Sequence, residues 1–195
     1  MLKGKKVRLR PLEMADVDDI MEHINDVDVN YFISRETPIT RTEEEQWVKE
    51  MCSGGKYPKD IIFGIYILDE KCKDDQRIIG TCGLHNIHWF SRFSILGISI
   101  FDKSVWSKGY GTESLNLLLE YSFRTLGLHR VKSCVYAYNE RSLALHKKLG
   151  FVQEGVERSA IYKRGEYHDV VLFGLLADEY KRRNVKSAWR ADAIL

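Results

Sequence analysis

The sequence predicts one domain of the mixed α/β class (α+β), in which helices flank a central, mixed and mostly antiparallel sheet. Three observations support this prediction. Apolar residues recur with the periods of strands and helices along most of the 195 residues. Three strand patterns follow one another in the middle of the chain, and helix and strand patterns alternate after them. The predicted order of elements is βααβββαβαββ.

The first third of the chain predicts one strand and two helices. Val7 and Leu9 alternate with charged residues, as expected for a half-buried strand. After Asp16, apolar residues recur at the spacing of one helical face. Thr42 and Glu45 match the Ser/Thr-x-x-Glu pattern of a capping box, so we expect the second helix to begin there.

The middle of the chain predicts three adjacent strands. Strand-forming residues concentrate at 61–68, 77–84 and 93–101, and a polar turn at 69–76 separates the first two. Strands joined by such short connections should pair as an antiparallel meander.

The last third of the chain predicts alternating helices and strands. A leucine-rich helix ends at Gly127, and a strand follows at 130–138. A short helix at 142–149 comes next, before two final strands at 151–162 and 167–175. This alternation places helix starts directly after strand ends, where α/β proteins bind ligands.

Composition excludes several classes of protein. With 44% hydrophobic and 11% aromatic residues, the chain is not a disordered or low-complexity sequence. A formal net charge of +2 gives little attraction for a nucleic-acid backbone, so we expect no nucleic-acid partner. One domain should span residues 1–183, followed by a charged tail at 184–195.

Neither a membrane nor a metal ion is expected as a partner. Residues 1–14 carry charge but no apolar segment, unlike a secretory signal. The longest apolar run, at 61–68, is far shorter than the roughly 18 residues that a membrane span requires. The 4 cysteines form no Cys-x-x-Cys pair and lack the histidine spacing of a zinc site. We therefore expect free thiols in the reducing cytoplasm.

The most informative segment is WSKGYGTE at residues 106–113, between a strand and the leucine-rich helix. Gly109 and Gly111 allow successive backbone N–H groups to converge, and the helix N-terminus behind them favours a phosphate or pyrophosphate. Lys108 could add a cation to this site. The alternative is a simple tight turn in which Thr112 caps the helix. The segment matches neither the GxGxxG dinucleotide fingerprint nor the P-loop.

A second segment, NERSLALHKKLGF at residues 139–151, also follows a strand. Asn139 can cap a helix at this point, and Gly150 can end it. The residues that share one face of this helix are Ser142, Leu145, His146 and Leu149.

These two segments resemble the motifs of the GNAT superfamily of acyl-CoA-dependent N-acetyltransferases. In that family a strand followed by Gln/Arg-x-x-Gly-x-Gly/Ala holds the CoA pyrophosphate, and a later Asn-x-x-Ala/Ser segment ending in Gly-Phe lines the pantetheine and thioester. The family's order of elements is also βααβββαβαββ, so the resemblance covers nearly the whole chain. Four segments are similar to the RimJ/RimL-type branch, which acetylates N-terminal amines of ribosomal proteins: VRLRPLEMADVDDI, WSKGYGTES, NERSLALHKKLGF and KRGEYHDVVLFGLLADEY.

The resemblance implies a GNAT fold and an enzyme that moves an acetyl group from acetyl-CoA directly to a primary amine. The acceptor that it implies is the α-amine of a protein N-terminus, and a homodimer is compatible with it. Acetyl-CoA is expected to contact the strand end before the glycine segment, that segment itself and the helix after Asn139. The expected cofactor-binding residues are Ser99, Ile100, Phe101, Trp106, Lys108, Gly109, Tyr110, Gly111, Thr112, Asn139, Ser142 and Lys147.

Three residues are candidates for catalysis. His146 occupies the position at which many relatives have a Tyr that protonates the leaving thiolate, and an imidazolium can do this near neutral pH. Glu13 follows the first strand and could face the amine, and His88 follows the third strand and could relay a proton. For the histidines the alternatives are a helix-face side chain and a solvated loop side chain. Trp106 departs from the family motif, which has Gln or Arg there.

Two other functions stay open at this point. A small amine, such as a polyamine or an aminoglycoside, could replace the protein N-terminus as acceptor. A non-catalytic acyl-CoA-binding module would keep the glycine segment and lose the acceptor side of the cleft. The segment GEYHDVVLFG, which shapes the acceptor channel in this branch, is present and favours an enzyme. The missing GxSxG and GxGxxG motifs disfavour a hydrolase and a Rossmann oxidoreductase.

Overall fold

A computed structural model of the chain describes residues 1–33, 35, 37–52, 55–68 and 77–184. Within these ranges it contains eight strands and six α-helices. The strands are β1 (Leu2–Lys3), β2 (Val7–Arg10), β3 (Ile61–Ile67), β4 (Ile78–His88), β5 (Phe93–Ile100), β6 (Arg130–Tyr136), β7 (Val152–Lys163) and β8 (Glu166–Leu176). The helices are α1 (Val17–His23), α2 (Val27–Asn30), α3 (Arg41–Cys52), α4 (Tyr110–Glu120), α5 (Glu140–Leu149) and α6 (Ala177–Asn184).

The strands form one sheet in the order β1-β2-β3-β4-β5-β6-β8-β7. Neighbouring strands are antiparallel except β5 and β6, which are parallel. Their pairing covers only Phe93 to Ile95 on β5 and Arg130 to Lys132 on β6. Beyond these residues the two strands diverge, which leaves an opening in the middle of the sheet.

Helices cover both faces of the sheet. Leu118 of α4 belongs to a core on one face, together with Ile65 of β3. Ile20 of α1 and Val48 of α3 belong to a second core, together with Tyr66, the next residue of β3. Successive residues of a strand point to opposite faces, so α4 lies on one face and α1 and α3 on the other.

The predicted fold class is confirmed, and β3, β4 and β5 form the predicted antiparallel meander. Strand β1 and helix α2 were not predicted, because segments of 2 and 4 residues are too short to show a period. The predicted turn at 69–76 and the tail beyond residue 184, which includes Trp189, lie outside the described residues.

The start of α3 corrects the predicted capping box. The Glu43 backbone N–H donates to Thr40 Oγ1 at 3.3 Å, and the Thr40 N–H donates to Glu43 Oε2 at 2.9 Å. Thr40 and Glu43 therefore form the box that we expected from Thr42 and Glu45. Both pairs match the same four-residue pattern, so the sequence alone could not distinguish them.

In the described part of the chain, no helix combines the length and the apolar character needed to cross a bilayer.

Candidate active site

A groove opens where β5 and β6 diverge, with a cavity volume of about 450 Å³. Its walls come from α2 and the residues after it, the end of β5, the segment 105–112 and one face of α5. The lining residues are Val29, Phe32, Ile33, Ile98, Ser99, Ile100, Val105, Trp106, Ser107, Gly109, Tyr110, Gly111, Thr112, Asn139, Arg141, Ser142, Ala144, Leu145 and Lys148.

Residues 106–112, called the glycine loop below, place backbone N–H groups at this groove. Gly109 is the N-cap of α4 with a φ of +90°, a left-handed conformation that glycine adopts without steric cost. Gly111 lies in the first turn of α4, and a Cβ added there would lie 3.6 Å from Ile98 Cδ1. The first N–H groups of a helix have no partner inside the helix and attract anions. The glycine loop is therefore suited to a phosphate or pyrophosphate group.

The edge of β5 that faces away from β4 forms the floor of the groove. The carbonyl oxygen of Leu96 lies 3.2 Å from Ser133 Oγ on β6. The carbonyl oxygen of Ile100 accepts the Trp106 indole N–H at 2.8 Å. Backbone groups of every second residue point to the same edge of a strand, so the N–H and carbonyl of Ile98 also face this opening.

Helix α5 contributes one face to the groove. Asn139 caps this helix, because its Oδ1 accepts the Ser142 backbone N–H at 3.1 Å. Arg141 and Lys148 lie seven positions apart, which is two helical turns, and both line the groove. The Arg141 guanidinium lies over the Trp106 ring at 4.1 Å from its centroid, a cation–π contact that links α5 to the glycine loop.

The groove contains most of the residues expected to bind the cofactor. The nine that line it are Ser99, Ile100, Trp106, Gly109, Tyr110, Gly111, Thr112, Asn139 and Ser142. Phe101, Lys108 and Lys147 do not line it, and their contact with the cofactor stays a prediction. Phe101 is buried in the core beneath α1, and its N–H donates to Ile79 O at 3.1 Å, towards β4. Lys108 and Lys147 are exposed, and Lys148 has the position expected of Lys147.

His146 does not line the groove, although Ser142, about 40° from it around α5, does. The His146 side chain is 2% exposed. The ring packs against Phe173 at 5.4 Å and Phe151 at 5.1 Å between centroids.

Both ring nitrogens of His146 have hydrogen-bonding partners. Nδ1 lies 2.8 Å from the carbonyl oxygen of Ser142, and Nε2 lies 2.8 Å from Ser133 Oγ. A carbonyl only accepts, so Nδ1 is the donor; Nε2 pairs with Ser133 Oγ, whose single hydrogen can go either to Nε2 or to the Leu96 carbonyl at 3.2 Å. Burial lowers the pKa of His146, although the bond to Ser142 opposes this shift. The burial of His146 outside the groove lining disfavours its role as proton donor to the thiolate, which stays a prediction.

The other two catalytic candidates also lie away from the groove. Glu13 is exposed and pairs with Arg10 at 3.3 Å; it follows β2, which is three strands or about 14 Å from β5. His88 pairs with Phe93 and stacks on its ring, about 17 Å along β5 from Ile98. Its Nδ1 accepts the Ser91 N–H at 3.0 Å, so it stabilises the turn between β4 and β5.

An aromatic cluster adjoins the groove beside Phe32. The Tyr31 and Tyr138 rings stack at 4.3 Å between centroids, and the Tyr138 hydroxyl donates to the Tyr31 carbonyl at 2.6 Å. The guanidinium of Arg164, from the turn between β7 and β8, lies 4.2 Å from the Tyr31 ring centroid. His168 of β8 contacts the Tyr138 ring edge-on at 4.7 Å. This end of the groove is therefore aromatic and bears a cation.

Several groove residues were missed by the sequence analysis. Val29, Phe32 and Ile33 come from α2 and the residues after it, and no local pattern indicates that this segment reaches β5. The sequence does indicate Arg141 and Lys148, which could meet the cofactor's outer phosphate or form a solvated charged face. Both line the groove. Within the described ranges, no group of three or more His, Cys, Asp or Glu side chains is arranged to hold a metal ion.

Comparison with known proteins agrees with this geometry. The family description "Acetyltransferase (GNAT) domain" matches residues 6–152. An uncharacterized N-acetyltransferase, p20 of Bacillus licheniformis, is 27% identical over 183 residues, which are 92% of this chain and 97% of that protein. The "Putative ribosomal N-acetyltransferase YdaF" of Bacillus subtilis is 35% identical over 107 residues, covering 55% of this chain and 58% of that one.

Solved structures share the same architecture. The spermidine N-acetyltransferase of Vibrio cholerae, in complex with CoA and spermine, superposes with a TM-score of 0.80 at 24% identity, covering 91% of this chain and 99% of that one. A probable acetyltransferase superposes with a TM-score of 0.79 at 28% identity, covering 90% and 95%. Because the family match spans more than half of the chain, the protein belongs to the GNAT acetyltransferase family and is an N-acetyltransferase.

Proposed function

We propose that the protein transfers the acetyl group of acetyl-CoA to the α-amine of a protein N-terminus, as in the RimJ/RimL-type branch. The groove fits the donor: the glycine loop offers converging N–H groups to the pyrophosphate, and β5 offers an uncovered backbone edge to the pantetheine. The N–H of Ile98 lies on that edge, where it can donate to the thioester oxygen and stabilise charge as the amine attacks.

The acid–base character of the groove-lining side chains supports an α-amine as acceptor. This observation is the main support for the proposal. Among the groove-lining side chains that the structure describes, none is a carboxylate or an imidazole. The amine must then arrive neutral and be positioned rather than deprotonated by a side chain. With a pKa near 7.7–8.0 against about 10.4 for a lysine-like amine, an α-amine has a neutral fraction about 300 times larger at pH 7.

The charges beside the aromatic cluster also favour a peptide over a polyamine. Arg164 brings a cation to this end of the groove, from the turn before the segment that resembles the branch's acceptor channel. Lys163 is buried and donates to the Asn30 and Arg35 carbonyls. Asp28 lies nearby, but it already pairs with Lys103 at 3.0 Å and lies 3.8 Å from Arg164. A polycation gains little from such a surface, whereas a peptide can place its carbonyl groups and side chains against cations and aromatic rings.

The second candidate is a small-molecule acetyltransferase. Its support is the similarity to spermidine N(1)-acetyltransferases, including that of Vibrio cholerae at 29% identity over 109 residues. This match covers 56% of the present chain and 62% of the relative.

The test is thiol release from acetyl-CoA over a panel of amines. The panel contains peptides with a free N-terminus, the same peptides with a blocked N-terminus and an internal Lys, spermidine, and an aminoglycoside. We expect the highest kcat/KM with free N-termini, and a rate that rises with pH through the pKa of the α-amine near 8. Faster turnover of spermidine or the aminoglycoside would refute the proposed acceptor. CoA binding without thiol release from any amine would instead indicate a non-catalytic module.

We also propose that the catalytic domain spans residues 1–183 with a separate tail at 184–195, and that it acts in the cytoplasm. The last helix of the described chain, α6, ends at Asn184. Cys82 and Cys134 are free thiols, which is the usual state in a reducing compartment.

A further inference from the structure

The turn between β1 and β2 packs against the start of α4, although more than 100 residues separate them in sequence. The Glu113 carboxylate of α4 accepts the backbone N–H groups of both Lys5 and Lys6, the latter at 2.9 Å. The approach at Gly4 is so close that an added Cβ would lie 2.5 Å from Glu113 Oε1. A Cβ there would require the Glu113 side chain to shift, so the two elements are in direct contact.

This contact brings the Lys6 side chain onto the glycine loop. Its Nζ donates to the carbonyl oxygen of Lys108 at 3.0 Å. It lies 5.9 Å from the Tyr110 ring centroid and 3.6 Å from the position that a Cβ on Gly109 would occupy. The ammonium group therefore lies against the peptide bond that leads into Gly109.

The bond to Lys108 fixes the direction of the next N–H group. In a trans peptide the carbonyl and the N–H point to opposite sides, and the chain contains no cis peptide in its described part. With the Lys108 carbonyl held on the side of Lys6, the Gly109 N–H points the other way. Gly109 lines the groove, and its φ of +90° allows orientations that other residues rarely adopt. An external contact is thus needed to select one orientation.

We infer that Lys6 is a positioning residue for the CoA pyrophosphate: it orients the Lys108–Gly109 peptide and adds positive charge behind the glycine loop, while Glu113 and Gly4 hold it in place. The inference rests on the proposed placement of the pyrophosphate at the glycine loop. It assigns a function to Glu113 beyond the general preference for acidic residues in the first turn of a helix.

Lys6→Met and Lys5→Met form a matched pair of variants for testing this. Both remove one positive charge from the same turn, but the Lys5 bond to Glu113 comes from the backbone and survives the substitution. Calorimetry measures the Kd for CoA, and thiol release measures kcat/KM with acetyl-CoA and with acetyl-pantetheine, which lacks the phosphates. We expect Lys6→Met to weaken CoA binding about tenfold, since a hydrogen bond to a charged group is lost. We expect Lys5→Met to change it less than about twofold, because surface substitutions rarely do more.

The acetyl-pantetheine arm separates a phosphate effect from general damage to the groove. With this donor, Lys6→Met should keep the wild-type kcat/KM. An equal loss with both donors, an equal effect of the two lysine variants, or unchanged CoA binding by Lys6→Met would each overturn the inference. Failure of the wild-type protein to bind CoA would instead refute the proposed function, so the two failures are distinguishable.

Discussion

Substitution of His146 by Ala should destabilise the fold far more than it slows acetyl transfer. His146 is 2% exposed and bridges Ser142 on α5 to Ser133 on β6, each at 2.8 Å. Its ring also packs on Phe151 and Phe173. The variant would lose all of these contacts, whereas His146 itself does not line the groove.

The structure allows the size of this loss to be worked out. Two hydrogen bonds to neutral groups contribute roughly 1 kcal/mol each, and the cavity left among aromatic rings adds about 1 kcal/mol more. The free energy of unfolding should therefore fall by about 3 kcal/mol. For a chain of this length, about 2–4 °C is lost per kcal/mol, so Tm should fall by about 6–12 °C.

The pH dependence of stability gives an independent check. Burial lowers the pKa of His146 in the folded protein from its usual 6.5. The unfolded chain then binds more protons than the folded one as the pH falls below about 6.5, so this contribution to stability is lost between that pH and the lowered pKa. In the His146→Ala variant, this part of the acid decline should be absent.

Urea unfolding measures the loss of stability, and thiol-release kinetics on the same samples measure the effect on kcat. His129→Ala, which removes an exposed histidine, is the control and should change stability by less than about 0.5 kcal/mol. We expect the kcat of folded His146→Ala to stay within a few-fold of wild type. A His146→Ala protein with wild-type stability but a kcat reduced about 100-fold or more would contradict this expectation. It would instead support His146 as the proton donor to the thiolate.

Three further predictions concern other parts of the molecule. Asn139→Ala removes the cap bond to the Ser142 N–H and should lower the unfolding free energy by about 1 kcal/mol in urea titrations; an unchanged midpoint would contradict the cap. Asp16→Asn should cost about 3 kcal/mol, because the carboxylate accepts from Arg10 at 2.9 Å and from the Tyr66 hydroxyl at 2.7 Å. Its kcat should not change, since this cluster lies on the face away from α4, and an activity loss in folded protein would show otherwise. In a duplex-binding assay at physiological salt, a net charge of +2 predicts no salt-sensitive binding.

The sequence predicted those elements that are long enough to show a regular period of apolar residues. Strand β5 ends one residue before its predicted end, and α5 ends at Gly150, whose φ of +90° is the expected glycine terminus. Strand β1 and helix α2 were not predicted, because each contains less than two periods of any pattern. The capping box at Thr40 was misplaced because the same pattern occurs twice within six residues.

The site was predictable where its contacts are local. The glycine loop and Asn139 act through backbone groups within a few residues, so their motifs carry the information. The orientation of His146 depends on Ser133, a partner on a different strand, and its helical spacing alone could not show which neighbours cover it. Lys6 reaches Lys108 across 102 residues, and no sequence pattern marks that contact.

Thiol release from acetyl-CoA, measured with a peptide acceptor in wild-type, Gly111→Ala and Gly111→Asp proteins, tests whether the glycine loop holds the CoA pyrophosphate during acetyl transfer. A Cβ at Gly111 would meet Ile98 Cδ1 at 3.6 Å and Leu145 Cδ2 at 3.8 Å, which are ordinary contacts, so both variants should fold. Only Asp adds a carboxylate to the groove, where it repels the pyrophosphate. We expect the wild type and the Ala variant to be active. We expect folded Gly111→Asp to lose both activity and CoA binding. Full activity and CoA affinity in folded Gly111→Asp would contradict this placement of the pyrophosphate.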